Sequence, residues 1–193
     1  MELIFSYLAE HFDLPILLWI REYLQSAFGD VIFPIITLFG EFGIFWIAIA
    51  LVLIIIPKTR KIGLGMGLAL LLGVILCNAI MKPLAARIRP YAYLLEHDGI
   101  KIQLIVKEMW DYSFPSGHTI ACFEAAVVLR KYTKKWGIPA IILAILVSFS
   151  RLYLFLHYPT DVLVSVVLGI LIAFLADWIV GQGYKLYYSK RSH

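Results

Sequence analysis

Charge is scarce in this sequence. Asp, Glu, Lys and Arg make up only 16% of its 193 residues, against 62% hydrophobic, where a soluble domain carries about 25% charged residues. With a mean hydropathy of +0.87, that shortage excludes an ordinary water-soluble globule and points to an integral membrane protein. Cysteine is nearly absent too. Cys77 and Cys122 lie inside apolar runs without CxxC or Cys/His spacing, which argues against a disulfide framework or a zinc site and leaves both as packing residues. No Ser/Gly/Pro-rich linker, repeat or low-complexity stretch divides the chain, so one domain over residues 1–193 is expected. Glu2, Glu10 and Asp13 stand where a cleavable signal peptide has its basic region, so the membrane segments are expected to direct insertion themselves. The net charge of +4 is split among short clusters, which gives nucleic-acid binding no support.

What the sequence has in quantity is apolar spans near the length of about 20 residues that crosses ~30 Å of hydrocarbon. Residues 31–56, 62–81, 117–132, 138–156 and 162–180 read as five crossings, the third extending through Lys134. Residues 14–28, interrupted by Arg21, Glu22 and Gln25, read as an amphipathic helix lying at the interface or packed against the bundle; six crossings is the alternative. The expected fold is an all-α polytopic membrane bundle. It has an N-terminal interfacial region at 1–29, a helical bundle at 30–182 and a cytoplasmic tail at 183–193. Basic clusters follow the first, third and fifth spans: Lys58, Arg60 and Lys61; Arg130, Lys131, Lys134 and Lys135; Lys185, Lys190 and Arg191. The positive-inside bias places those loops and the C-terminus in the cytoplasm of a plasma-membrane protein.

Three polar blocks, residues 82–90, 115–118 and 150–161, then face outward. Charge stranded at a membrane centre costs about 2.5–3.5 kcal/mol per residue, so their charged residues call for a shared purpose. Lys82 and Arg89 are seven apart, about two helical turns, and are expected on one helix face. Arg151 adds a guanidinium at the outer end of the fourth span. Two arginines and a lysine suit a tetrahedral oxyanion such as phosphate, the arginines as forked donors and the lysine as a compact charge. Ser116 and Gly117 open a helix, where a hydroxyl and backbone N–H groups favour an anion, and His118 in the first turn is placed to hand a proton to a leaving oxygen. His157 and Asp161 have i, i+4 spacing, so the carboxylate can hold one ring nitrogen and leave the other free to attack phosphorus. Taken singly, each has a plainer reading: interface anchors for Lys82 and Arg89, a turn and cap for Ser116 and Gly117, an interfacial histidine and a cap for His157 and Asp161. Their joint occurrence favours the phosphate site.

The pattern Lys82-x6-Arg89-Pro90, Pro115-Ser116-Gly117-His118, Ser150-Arg151-x5-His157-x3-Asp161 resembles the three-part signature of the type-2 phosphatidic acid phosphatase superfamily, which also contains vanadium haloperoxidases. The resemblance covers roughly residues 30–181 and is complete at every signature position. It implies that His157 is a nucleophile forming a phosphohistidine, that Asp161 holds it, and that His118 protonates the leaving group and then activates water. It further implies that Lys82, Arg89, Arg151, Ser116 and the Gly117 backbone hold the phosphoryl oxygens without metal or other cofactor. Short bacterial members act on undecaprenyl diphosphate, phosphatidylglycerol phosphate and phosphatidic acid. An outward-facing site favours the first of these, with the other two as alternatives. A lipid phosphotransferase and a non-catalytic lipid transporter of the same fold are the other hypotheses; a haloperoxidase is the weakest, since those relatives are soluble.

Four further expectations concern residues outside the signature. Glu124 and Glu41, carboxylates inside apolar spans, are expected to pair structurally, with protonation against a neighbouring helix as the alternative, Glu41 being the nearer to the site. Arg87 reads as a headgroup contact. Tyr91, Tyr93, Trp110 and Tyr112 read as an aromatic belt. The connection 91–114 is long enough to shape substrate choice, with a short interfacial element at 102–109. Oligomeric state is not readable from an apolar surface that lipid covers equally well.

Overall fold

Helix ends in this chain are set variously by a capping hydroxyl, a left-handed residue, an extended residue or a proline. The computed structural model describes residues 2–190, and these form helices and loops with no strand among them. Helix α1 (Glu2–Tyr23) contains one wide π-type turn at Ala9–Asp13. Helix α2 (Ala27–Ile55) starts at Ser26, whose extended backbone lets its hydroxyl accept from the Gly29 N–H at 3.2 Å. Helix α3 runs from Arg60–Val74 through wide turns at Ile75–Met81 to Lys82–Ala85. Then come α4 (Pro90–Asp98), α5 (Gly117–Tyr132), α6 (Lys134–Tyr153) and α7 (Pro159–Ser189).

Five helical stretches are long and apolar enough to cross a membrane: Glu2–Tyr23, Ala27–Ile55, Arg60–Asp98, Lys134–Tyr153 and Pro159–Ser189. They are not the five expected. Residues 14–28 are not one interfacial helix, because α1 ends at Tyr23 and Ser26 opens α2. Helix α1 is itself of spanning length, and its Ala9, Leu14 and Leu17 pack against Tyr93, Leu94, Phe155 and Tyr158. Helix α5 falls outside the five because it has only 16 residues, yet ten of them are buried. It is the central helix, packed against α3, α6 and α7, and protein rather than lipid covers its polar groups. Among the described residues five helical stretches thus have spanning length, and α5 is a shorter helix buried among them.

The other boundaries shift for local reasons. Thr133 is extended (φ −148°, ψ 125°), so α5 stops at Tyr132 instead of continuing through Lys134, which begins α6. Helix α6 ends at Tyr153, where Phe155 turns left-handed (φ 60°). Helix α7 begins at Pro159, a residue suited to a first helical turn, and continues to Ser189, so residues 183–189 extend a helix instead of forming a tail. Arg191 lies outside the described residues. No regular element forms at 102–109.

The core is built from small side chains, Ala69, Ala125, Ala126, Ala144, Ala173 and Ala176, around Trp46 and Met66, which lets helices approach closely where lipid offers no hydrophobic drive. Cys77 and Cys122 are free and buried. At one end of the bundle Lys131 and Tyr132 of α5 bond Asp177 of α7, and Lys61 of α3 sits 5.7 Å from the Tyr132 ring centroid. The basic turns therefore share that end. The polar blocks gather at the other.

Candidate active site

The end of α3 is where the local backbone departs most from expectation. Ala86 takes a left-handed conformation (φ 46°), the helix breaks over residues 86–89, and Arg89 is an extended residue in front of Pro90. Lys82 and Arg89 thus do not share a helix face. They converge nonetheless, because both bind Asp111 in the loop that follows α4. Lys82 donates to Asp111 Oδ2, and Arg89 Nη2 donates to Oδ1 at 2.6 Å. The Arg89 fork also donates to the carbonyls of Asp111 at 2.9 Å and Leu156 at 2.7 Å. Partial burial raises the Asp111 carboxyl, but its hydrogen bond from Lys82 and the charge of Arg89 prevail and hold it at about 2.

His157 lies between Arg89 and Asp161. Its Nε2 is 3.4 Å from Arg89 Nη1 and its Nδ1 is 3.5 Å from Asp161 Oδ2. A guanidinium can only donate, so Nε2 presents its lone pair toward Arg89 and the ring proton belongs on Nδ1, facing the carboxylate. Burial first, then the cations Arg89, Arg151 and Lys82, push the imidazole well below its ordinary value and keep it neutral. Asp161 opens α7 and is fully buried. It accepts from Ser113 Oγ, from the Tyr158 N–H at 3.0 Å and from Arg87 Nη1 at 2.5 Å.

Arg87 is therefore no headgroup contact. It is buried, and its second nitrogen donates to Asp13 Oδ2 at 2.7 Å. Arg151, 2% exposed, donates to Thr37 Oγ1 at 2.7 Å and approaches Met109 Sδ at 3.0 Å. Its Nε has no partner, and no carboxylate pairs with it among the described residues. His118, in the first turn of α5, has Nε2 at 3.0 Å from Glu41 Oε2. Glu41 reaches it because α2 is kinked, with Glu41 at ψ 117°, Phe42 at φ 48° and Gly43 at φ 66°. Ser116 precedes α5; its N–H donates to Ser165 Oγ at 2.8 Å and its hydroxyl accepts from Thr119 at 3.1 Å.

A cavity of about 890 Å³ opens at this point, its upper wall formed by Lys82, Arg89, Gly117, His118 and His157. Ser116, Arg151 and Asp161 lie outside that wall, behind the lining residues. From there the cavity runs as an apolar groove between α2 and α3 along Ile47, Leu51, Leu71 and Val74, side chains that are themselves largely exposed. Glu124 lines its deeper part, facing Gly73, where a Cβ would overlap the carboxyl. The structural pairing expected for Glu124 is not found: its Oε2 is buried without a partner among the described residues. The aromatic belt is likewise only half present. Trp110 and Tyr112 are exposed, but Tyr93 is buried on Glu10 at 2.8 Å and Tyr91 donates to the Met109 carbonyl at 2.6 Å.

All eight signature residues thus come to one end of the bundle. Five residues that spacing did not single out join them: Asp13, Arg87, Asp111, Ser113 and Thr160. Asp13 and Asp111 carried a signal, being carboxylates in an oily chain with three cations to satisfy.

The fold and the site together define a helical membrane protein with two histidines, a lysine and an arginine on the wall of one cavity and a second arginine and a carboxylate behind them. More narrowly, the chain belongs to the PAP2 superfamily, whose family model matches residues 62–184. It is 34% identical over 139 residues to the undecaprenyl-diphosphatase of Sulfolobus acidocaldarius, covering 72% of this chain and 65% of that relative. The chain thus spans just under two thirds of that relative's length. To undecaprenyl-diphosphatase BcrC of Bacillus subtilis it is 30% identical over 155 residues, covering 78% and 76%. Among solved structures it is similar to the transmembrane PAP2-type phosphatidylglycerolphosphate phosphatase of Bacillus subtilis, with a TM-score of 0.69 and 27% identity over 93% of this chain and 94% of that one. Aquifex aeolicus LpxE gives a TM-score of 0.66 and 26% identity over 85% and 93%.

Proposed function

We propose that this chain is a lipid phosphatase that hydrolyses undecaprenyl diphosphate at the outer face of the plasma membrane through a phosphohistidine. The observation that carries this reading is His157, neutral and buried, with its Nε2 lone pair at the cavity wall beside Arg89 and Asp161 behind its Nδ1. Arg151 supports it, since a buried guanidinium without a carboxylate is costly unless an anion arrives to pair with it.

In the first half-reaction Nε2 of His157 attacks the terminal phosphorus. The N–P bond forms as the P–O bond to the lipid monophosphate breaks, and His118 gives its proton to the departing oxygen. Lys82, Arg89, Arg151, Ser116 and the Gly117 N–H hold the phosphoryl oxygens, placing positive charge where negative charge is conserved or grows. In the second half, His118 takes a proton from water, the water oxygen attacks phosphorus, and the N–P bond breaks to release orthophosphate. Glu41 faces His118 in both steps. The similarity to a phosphatidylglycerolphosphate phosphatase over nearly the whole chain favours that lipid as the second substrate reading.

The test is phosphate release by purified protein in lipid, with EDTA present. It compares undecaprenyl diphosphate, phosphatidylglycerol phosphate, phosphatidic acid and a soluble phosphate ester, beside His157→Ala. Release is expected with the metal chelated, highest on undecaprenyl diphosphate, and lower by about a thousandfold or more in the variant. Folded wild-type protein that releases no phosphate from any lipid would overturn the reading.

A further inference from the structure

The family match begins at residue 62, yet the pair that holds the nucleophile is tied to α1, far outside it. Asp13 on α1 is fully buried. Its Oδ2 accepts from Arg87 Nη2 at 2.7 Å and from Thr160 Oγ1 at 2.7 Å, and its Oδ1 accepts from the Thr160 N–H at 2.9 Å. Arg87 spends its other terminal nitrogen on Asp161 Oδ1 at 2.5 Å and on Thr160 Oγ1 at 2.8 Å. Its guanidinium carbon is 3.7 Å from the Tyr158 ring centroid and 4.8 Å from that of Phe5 on α1. The order of groups is therefore Asp13, Arg87, Asp161, His157, all of them buried. One cation stands between two carboxylates.

That arrangement has an electrostatic consequence. A lone Arg87–Asp161 pair would be closed and neutral. His157 would then meet a spent carboxylate among Arg89, Arg151 and Lys82, the cations that already oppose charge on its ring. With Asp13 sharing the guanidinium, the three groups together carry one net negative charge, and the buried imidazole beside them is His157. We propose that Asp13 is a positioning residue for the nucleophile: by sharing Arg87, it leaves on Asp161 the negative charge that His157 needs as it becomes cationic. This rests on the phosphohistidine reading above. As Nε2 bonds to phosphorus and the P–O bond to the leaving group breaks, the Nδ1 proton stays on the ring, and the phosphorylated imidazolium faces Asp161. Helix α1 would then be part of the catalytic apparatus although it lies outside the matched family region.

A structural role for Asp13 and an electrostatic one differ in a way that two variants separate. Asp13→Asn keeps the shape and the Oδ1 acceptor for the Thr160 N–H, loses the Oδ2 acceptor shared by Arg87 and the Thr160 hydroxyl, and so hands the whole of Arg87 to Asp161. We expect kcat to fall about 10–100-fold, the range typical of groups one layer behind a reacting centre, with KM within about twofold and activity recovered in part by Asp13→Glu. Asp13→Asn/Arg87→Gln removes both charges and returns Asp161 to His157 undivided, so this double variant is expected to turn over faster than Asp13→Asn alone. Removing both partners of a buried pair is also far better tolerated than removing one. A kcat for Asp13→Asn within about twofold of wild type overturns the proposal. So does a double variant slower than the single one, both compared as folded protein. Should Asp13→Asn fail to fold, the double variant is compared with wild type: a kcat within about tenfold supports the proposal and a greater loss overturns it. Phosphate release by the wild-type protein, read first in the same assay, tests the phosphatase reading separately from these ratios.

Discussion

Asp111 occupies the cations that a phosphoryl group would need. Its two carboxylate oxygens take Lys82 and Arg89 at once, so a substrate phosphate must displace it to bind them. Its lowered pKa means that this competition is complete at neutral pH and is lost only as the pH falls through about 2. Asp111→Asn is therefore expected to tighten inhibition by orthophosphate about tenfold, since a charged hydrogen bond is worth about 1.5–3 kcal/mol; unchanged inhibition would show that Asp111 leaves the cations freely. The lowered pKa of His157 has its own signature: the proposed nucleophile stays unprotonated below the ordinary histidine value of 6.5, so an acid limb of kcat/KM at or above that pH would have to come from another group. At this scale the charged and histidine residues of the signature were legible because each is a chemical anomaly in an oily chain, and Ser116 and Gly117 because they stand beside His118. Arg87, Ser113 and Thr160 were not, because their partners are set by where the break at Ala86 and the loop before Pro115 lead the backbone, which no spacing encodes.

The kink in α2 is the element-scale counterpart. Gly40 precedes it and has no Cβ; one placed there would lie 2.8 Å from His118 Cδ2 and 2.9 Å from Val147 Cγ1. Gly40→Ala is expected to displace the His118 ring, lowering kcat by about tenfold or more, since misplacement of about 1 Å can cost a hundredfold. The lost stability, about 1–3 kcal/mol, would appear as a lower Tm; full kcat in the variant would mean that Val147 yields instead of the histidine. Spans were legible from hydropathy wherever a helix meets lipid, as in α2, α3, α6 and α7. Helix α5 was foreseen by its motif but misjudged in length, because a helix wrapped in protein need not be apolar and its end at Thr133 carries no breaker. In helix α1, Arg21, Glu22 and Gln25 suggested an interface or a helix packed on the bundle; Ala9, Leu14 and Leu17 make it the second, and what those charges hid was its spanning length and its end at Tyr23.

For the whole molecule, the convergence of the basic turns at one end and the polar blocks at the other makes sidedness a single question. Cys77 and Cys122 are buried, so a thiol introduced at an exposed position reports alone. Lys101→Cys is expected to react with a membrane-impermeant maleimide on intact cells, and Lys58→Cys only after permeabilisation; the reverse pattern would place the cavity in the cytoplasm. The groove between α2 and α3 adds a kinetic consequence. Ile47, Leu51, Leu71 and Val74 line it and are largely exposed, so in a bilayer its flank opens sideways onto acyl chains. On the proposed substrate, a prenyl tail sliding in from that side would never leave hydrocarbon and would avoid the cost of about 0.8 kcal/mol per CH₂ that passage through water would exact. Encounter is then two-dimensional. The quantity that sets the rate is the mole fraction of substrate in the surface, and diluting mixed micelles with inert detergent at fixed bulk substrate should slow turnover in proportion.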